Sequence, residues 1–156
     1  MLHRALVTGG CGFIGSNLVK KLVETGWRVD IVDDMSNGHL EFLEGEKMRV
    51  VPIDLLPTFD ESVERKNDVI VVIQGDFSHT NILRKITLRQ YDVIFHQAAM
   101  PQVSYSVKYP AITTENNVNK YVKLLEACIG NVKRGVAASS SSVYGTAELS
   151  HEIFVM

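Results

Sequence analysis

The chain has 156 residues, 46% of them hydrophobic and 22% charged, a composition typical of one soluble globular domain with a real core. A formal net charge of −2 and the lack of a basic tract argue against nucleic acid as a partner. Two cysteines cannot make a disulfide framework, and no apolar run approaches the length of a membrane span. Because the N-terminus also does not resemble a signal peptide, we expect a single cytoplasmic domain over residues 1–156, without a membrane partner.

Strand-like and helix-like segments alternate along the first half of the chain. Residues 4–7 predict a short strand, and a helix follows from about Phe13 to Thr25, with Gly26 placed where a glycine ends a helix. Residues 29–32 predict a second strand. Residues 49–53 and 69–73 both resemble strands, but a parallel sheet needs only one of them as its third strand. The other is expected to be an added edge strand or a hairpin.

The second half of the chain continues the alternation. A helix is predicted after Ser78, a strand over residues 91–96, a helix over residues 116–129 and a strand over residues 135–138. In the helix over 116–129, one apolar face carries Val118, Val122, Leu125 and Cys128. The pattern predicts a Rossmann-like, doubly wound α/β fold with a parallel sheet of about five strands plus a possible extra edge strand. Ligands of such sheets bind at the carboxyl ends of the strands.

A glycine-rich loop follows the first predicted strand. Its glycines fit two spacings, Gly9-x-x-Gly12-x-x-Gly15 and Gly10-x-Gly12-x-x-Gly15. The first glycines permit a tight turn, the middle one lets the backbone approach a pyrophosphate, and the last lets the helix pack closely on the sheet. The N–H groups at the start of the helix then face the anion. Between a strand and an amphipathic helix, this loop predicts a dinucleotide-binding site.

Asp33 ends the second predicted strand, 18 positions after Gly15. A carboxylate at this position is suited to accept hydrogen bonds from the adenosine ribose, and it would repel a 2′-phosphate. Residues 34–38 contain no Arg or Lys that could neutralise such a phosphate. The sequence therefore favours NAD over NADP.

Further motifs follow the later strands in a characteristic order. They are Val32-Asp33-Asp34-Met35-Ser36-Asn37-Gly38, Gly75-Asp76-Phe77, His96-Gln97-Ala98-Ala99, Asn116-Asn117-Val118-Asn119 and Ser139-Ser140-Ser141-Ser142-Val143-Tyr144-Gly145. Together with the glycine loop, they resemble the extended short-chain dehydrogenase/reductases, in the branch of NAD-dependent nucleotide-sugar epimerases and dehydratases that includes the UDP-glucose 4-epimerases. The resemblance covers about residues 3–145.

This resemblance implies NAD as the cofactor and assigns residues to it. Backbone groups of the loop would contact the pyrophosphate, and the segment from Asp33 would hold the ribose. The segment from Asp76 would flank the adenine, the loop after His96 would line the middle of the cofactor, and Asn116 would lie near its nicotinamide end. The implied cofactor residues are Gly9, Gly12, Phe13, Ile14, Gly15, Asp33, Asp34, Ser36, Asn37, Gly38, Asp76, Phe77, Gln97, Ala98, Ala99 and Asn116.

The resemblance also assigns a substrate-orienting role to Ser140, which lies four residues before Tyr144. In the family, a Ser or Thr there hydrogen-bonds the reacting sugar hydroxyl. The other interpretation is that the serine run only ends a strand. Asp54 rivals Asp76 as the adenine residue because the segment between Asp33 and Asp76 is longer than the family leads us to expect; the preceding glycine and the distance to His96 favour Asp76.

The family's general base is a Tyr with a Lys four residues later, and none of the five tyrosines here has a Lys at that position. We therefore expect a chain truncated before this motif and without the C-terminal substrate domain. Three functions stay open: an enzyme oxidising a UDP- or dTDP-sugar by transient hydride transfer to NAD, a non-catalytic NAD-binding module, and an inactive fragment. The five histidines show no metal-ligand spacing, and the sheet edge left exposed predicts a homo-oligomer.

Overall fold

A computed structural model describes residues 3–58, 70–140 and 143. Six parallel strands form one sheet with the order β3-β4-β2-β1-β5-β6. Their bounds are β1 Arg4–Thr8, β2 Arg28–Asp33, β3 Met48–Pro52, β4 Ile70–Gln74, β5 Val93–His96 and β6 Arg134–Ala137. This architecture confirms the predicted Rossmann-like α/β fold. Both uncertain strand runs are real strands: β4 pairs with β2, and β3 is the extra strand at the edge.

Helices connect the strands. Their bounds are α1 Phe13–Glu24, α2 Thr80–Thr87, α3 Val103–Lys108, α4 Pro110–Thr114 and α5 Lys120–Cys128, with a π-helical turn over Glu115–Asn119 directly before α5 and 3₁₀ turns over Leu40–Leu43 and Ile53–Thr58. The predicted helix over residues 116–129 is therefore present, but its first turn is wider than an α-helix. Such π-helical turns are rare and are often found at functional sites.

Apolar side chains cover both faces of the sheet. In β4, Ile70 and Val72 belong to one buried cluster, together with Val19 of α1. Val71 and Ile73 belong to the other, together with Leu124 of α5. Alternate residues of a strand point to opposite faces, so a strand buried on both sides reads as a continuous apolar run.

Helix α5 packs on the sheet mainly through residues outside the apolar face noted in the sequence, and of that face Cys128 alone packs against the same buried cluster. Leu124 and Ala127 are buried, whereas Val118, Val122 and Leu125 are 51%, 48% and 43% exposed. The helix has two apolar stripes, and periodicity alone does not distinguish the one that meets the sheet. The second stripe and strand β6, whose four residues are all exposed, form an uncovered surface in the described part of the chain.

The strand order of the sheet has a switch point beside β1. Strand β2 lies on one side of β1 and β5 on the other, so the strand order reverses between β1 and β5. The loops that leave the two strands diverge there and open a crevice at their carboxyl ends. Among the described residues, no helix is long and apolar enough to cross a membrane.

Candidate functional site

The glycine loop forms one wall of this crevice, and Gly9 and Gly15 leave no room for a side chain. Gly9 has a φ of +68°, and a Cβ there would lie 2.7 Å from the backbone nitrogen of Ala98. A Cβ on Gly15 would lie 2.1 Å from the carbonyl oxygen of Gly9. Helix α1 begins at Phe13 after Gly12, which supplies no side-chain cap. The positive end of the helix therefore faces the crevice without a resident acceptor, as an anion site requires.

Asp33 joins the end of β2 to this loop. Its Oδ2 accepts the backbone N–H of Cys11 at 2.9 Å, and its Oδ1 accepts that of Met35 at 3.0 Å. Burial raises the pKa of the Asp33 carboxyl, the nearby Asp34 raises it further, and the two backbone bonds oppose the shift. Each carboxylate oxygen has a second lone pair, so Asp33 can hold the loop and still accept from a ligand hydroxyl.

Cys11 is fully buried beneath the loop. Burial, with the Asp33 carboxylate beside it, raises the pKa of its thiol to about 12. The thiol therefore stays protonated at neutral pH. Because the thiolate is the reactive form of cysteine, Cys11 is not a nucleophile here.

The opposite wall begins after β4. Asp76 Oδ1 accepts the backbone N–H of Ser78 at 2.7 Å and its hydroxyl at 2.8 Å, while Oδ2 forms an ion pair with Lys120. Burial raises the pKa of Asp76, but the bonds from Lys120 and Ser78 outweigh burial and hold the pKa below its usual value. The rival Asp54 points into solvent, with 88% of its side chain exposed, next to His79.

The floor of the crevice is the loop after β5. The backbone N–H of Ala98 donates to Thr8 Oγ1 at 3.3 Å, which connects the loop to the end of β1. The side chain of Asn117 brackets Met100: its Oδ1 accepts the Met100 N–H at 2.8 Å and its Nδ2 donates to the Met100 carbonyl at 3.0 Å. The π-helical turn thus fixes the position of this loop.

His96 lies beneath the floor, at the end of β5. Its ring stacks on Tyr121 with centroids 4.6 Å apart and meets the edge of Phe77 at 4.9 Å. Burial lowers the pKa of His96 to about 4, so the ring is neutral at pH 7. This environment agrees with a packing role next to a ligand and not with that of a base.

The two walls and the floor bring most of the predicted residues together in one open cleft. Phe13 and Ile14, which are 75% and 67% exposed, are not in its lining, and Gly15 is buried behind the loop. Ser140 is exposed beyond the end of β6 and does not line the cleft; Ser141, Ser142, Tyr144 and Gly145 lie outside the described residues. The cleft is lined by Gly9, Gly12, Val32, Asp33, Asp34, Ser36, Asn37, Gly38, Gly75, Asp76, Phe77, Gln97, Ala98, Ala99, Met100 and Asn116.

Sequence reasoning missed Lys120, although it lies four residues after Asn116, a spacing that places two side chains on the same side of a helix. Its ammonium group donates to Asn116 Oδ1 at 3.1 Å while pairing with Asp76. Asn116 and Asp76, expected at opposite ends of the cofactor, therefore lie within reach of one cation. The reason is that α5 begins beside the loop that follows β4.

The cleft fits a dinucleotide on its own chemistry. It combines a glycine cradle that side chains would fill, an uncapped helix start and carboxylates at the ends of β2 and β4. Among the described residues, no group of three or more potential metal-ligating side chains is present. The fold and the cleft thus define a dinucleotide-binding protein of the Rossmann class.

The chain belongs to the NAD dependent epimerase/dehydratase family, which it matches over residues 5–154. This membership confirms the predicted family, and NAD is the cofactor of that family. Among curated relatives, UDP-N-acetyl-alpha-D-glucosaminuronate decarboxylase of Bacillus cytotoxicus is 31% identical over 147 residues, covering 93% of this chain and 39% of the relative.

Solved structures show the same similarity. The UDP-N-acetylglucosamine 4-epimerase of Methanobrevibacter ruminantium, in complex with UDP-N-acetylmuramic acid, matches with a TM-score of 0.73 and 30% identity over 99% of this chain and 45% of that one. The UDP-glucose 4-epimerase of Brucella ovis, in complex with NAD, matches with a TM-score of 0.70 and 25% identity over 94% and 38%. The chain spans about two fifths of the length of the curated relatives it matches.

Proposed function

We propose that this chain binds NAD in the cleft and serves the oxidation of a nucleotide sugar, a UDP- or dTDP-sugar. One observation carries the proposal: the cleft gathers all the cofactor residues that the sequence suggested, except Phe13, Ile14 and Gly15. In this assignment the pyrophosphate lies at the glycine loop, the adenosine ribose at Asp33 and the adenine at Asp76. The carboxylate of Asp33 would select against a 2′-phosphate.

When bound, NAD supplies the acceptor for a hydride from the sugar carbon. The residues of this chain would hold the reactants: Asp33 and Asp76 orient the dinucleotide, and Ser140 is the candidate donor to the sugar hydroxyl. Oxidation of a hydroxyl also requires a group that takes its proton. His96 does not fill this role, because it does not line the cleft and its Nδ1 is hydrogen-bonded to the Thr8 hydroxyl.

The test of cofactor binding is isothermal titration with NAD and NADP. We expect saturable binding of NAD and at least about tenfold weaker binding of NADP, since one repulsive charge contact is equivalent to roughly 1–2 kcal/mol. No heat of binding with millimolar NAD would contradict the proposal.

The second candidate is a module that binds NAD without chemistry of its own. The composition of the cleft favours it, because none of the described residues that line the cleft is a Tyr, Lys or His. Incubation with UDP-glucose or UDP-galactose and NAD separates the two, with product measured by chromatography. Turnover above that of a Ser140→Ala variant supports the enzyme, whereas tight NAD binding without turnover supports the module.

A further inference from the structure

We propose that the apolar segment of residues 153–156 of this chain docks in the groove between helix α5 and strand β6. This groove is distinct from the dinucleotide cleft, since no described residue lines both. Docking there does not depend on the binding of NAD. The groove is defined by Ile94 and His96 of β5, Tyr121 and Cys128 of α5, and Gly135 and Ala137 of β6.

The groove is hollow because its floor in β6 consists of small residues. Gly135 lies beside Ile94 of β5 in the parallel register, and Ala137 lies beside His96. Alternate residues of a strand point to opposite faces, so both small residues face the side of the sheet where Leu124 packs on Ile94. A Cβ added to Gly135 would meet no described atom within 4 Å. The cavity measures about 330 Å³, against about 30 Å³ for one water molecule in the liquid.

The sides of the groove are apolar and uncovered. Leu125 of α5 borders it and is 43% exposed, and the thiol of Cys128 is half-buried. All four residues of β6 are exposed, so the described part of the chain leaves the groove open. Burial of such a contiguous apolar surface is favourable, and a surface of this kind marks a contact site.

The occupant is identified by its composition. Residues 153–156 are Ile, Phe, Val and Met, a run of four apolar side chains beyond the described part of the chain. These side chains gain free energy by leaving water, and the groove offers an apolar surface within the same molecule. Aromatic side chains bury the largest areas, so we expect Phe154 to fill the cavity.

The covalent connection favours this segment over a second copy of the chain. Ser139 follows the end of β6 and lines the groove, and Phe154 lies 15 residues further on. That stretch spans up to about 50 Å when extended, whereas the nine residues of α5 measure about 14 Å, so the segment reaches the whole groove. Tethering gives it an effective concentration on the order of millimolar, above that of a second copy in dilute solution. Packing on the face of the sheet leaves the backbone edge of β6 free.

Cys128 reports whether the groove is covered. The experiment follows the reaction of the full chain with N-ethylmaleimide, with the label at Cys128 measured by peptide mass spectrometry. Wild type is compared with the double variant Phe154→Ser/Val155→Ser. Leu149→Ser is the matched control, because it removes an apolar side chain from the same stretch but outside the run. Cys11 is fully buried, so its labelling would reveal unfolding.

Cys128 should react at least about fivefold faster in the double variant than in wild type, because the rate follows the fraction of molecules with an open groove. Leu149→Ser should react as wild type does. Equal rates in wild type and the double variant would overturn the proposal. So would protection of wild-type Cys128 that disappears on dilution, because a second copy would then be the occupant.

A cross-link tests the same contact without opening the groove, and it decides the matter if the double variant does not fold. A disulfide requires Cα atoms within about 7 Å. In Phe154→Cys, oxidised glutathione should take up the two electrons and two protons of the thiols and leave an intramolecular disulfide with Cys128, seen as a loss of two hydrogens in the intact mass. Leu149→Cys is the control and should form much less of it. A disulfide between two chains, or none, in Phe154→Cys would overturn the proposal.

Discussion

The hydroxyl oxygen of Thr8 lies 2.7 Å from Nδ1 of His96, at the carboxyl ends of the two neighbouring strands β1 and β5. Because the same oxygen also accepts the backbone N–H of Ala98, the Thr8 hydroxyl proton is available for a neutral His96. The bond connects the floor of the cleft to the end of β1. A hydroxyl can both donate and accept, so the cost of protonating His96 comes from placing a charge in this buried position beneath the cleft.

This relationship predicts a pH dependence of the free energy of unfolding. The pKa of His96 is about 4 in the folded chain, below the usual 6.5, because of burial. The unfolded chain therefore takes up the proton first, and stability is lost as the pH falls from about 6.5 toward 4. With allowance for partial exposure of the ring, we expect a loss of about 2 kcal/mol, measured by urea unfolding at pH 7 and pH 4.5.

His96→Gln should remove this component, and the difference between variant and wild type is the quantity to measure. The lowered pKa values of Asp76 and Asp92 act at lower pH, because both begin from 3.8. The raised pKa of Asp33 acts in the opposite sense, and the comparison cancels it. An unchanged pH slope in His96→Gln would show that the ring is not the cause.

Asp33→Asn should reduce the preference for NAD over NADP by about tenfold, because removal of the negative charge removes the repulsion of a 2′-phosphate. The variant should also unfold more easily, by about 1–3 kcal/mol, since one amide hydrogen would face a backbone N–H of Cys11 or Met35. Titration calorimetry and urea unfolding measure the two effects separately. Asp92→Asn is the control, because its carboxylate also accepts a backbone N–H, that of Arg4 at 2.8 Å, and lies outside the cleft lining. An equal change in both variants would argue against a specific role of Asp33.

Gly15→Ala should destabilise the fold by about 2 kcal/mol or more, because the new Cβ would meet the Gly9 carbonyl oxygen at 2.1 Å and backbone must move. It should also weaken NAD binding, since the loop that moves forms the cradle. Gly135→Ala in β6 is the control: its Cβ meets nothing within 4 Å, and the change should stay within about 0.5 kcal/mol. Thermal unfolding compares the two, and equal stabilities would contradict the close packing.

The exposed strand β6 predicts self-association through the sheet edge. Among the described residues it pairs only with β5, and Val136 is 39% exposed. An unpaired edge with apolar side chains favours pairing with another chain. Val136→Lys should therefore lower the apparent mass in multi-angle light scattering at high concentration. A wild-type chain that stays monomeric under the same conditions would refute the prediction.

Several features were predictable from sequence because their chemistry is local. The turn from β1 into α1 requires glycine at Gly9 and Gly15, and that spacing is visible in seven consecutive residues. The alternation of apolar runs with helical periodicity predicted the parallel sheet. Asp33 was identified because it is an acidic residue at the end of a predicted strand. Each of these signals depends on neighbours in the chain.

Other features depended on segments that are distant in sequence. Both strand candidates were recognised, but only the sheet order shows that β3 is the edge and β4 the neighbour of β2. The two apolar stripes of α5 look alike in sequence, and only packing buries Leu124 while leaving Leu125 exposed. Sequence alone left Asp54 and Asp76 as alternative candidates for the adenine residue. In the fold, Asp54 points into solvent and Asp76 lines the cleft.

The sequence by itself thus determined the fold class, the glycine cradle and the acidic residue at the end of β2, because periodicity and turn chemistry act over a few residues. Tertiary structure alone decided that Lys120 meets Asp76 and Asn116, and that His96 lies neutral beneath the floor. Burial and charge pairing depend on which surfaces come into contact, and the packing of the helices on the sheet decides which surfaces these are.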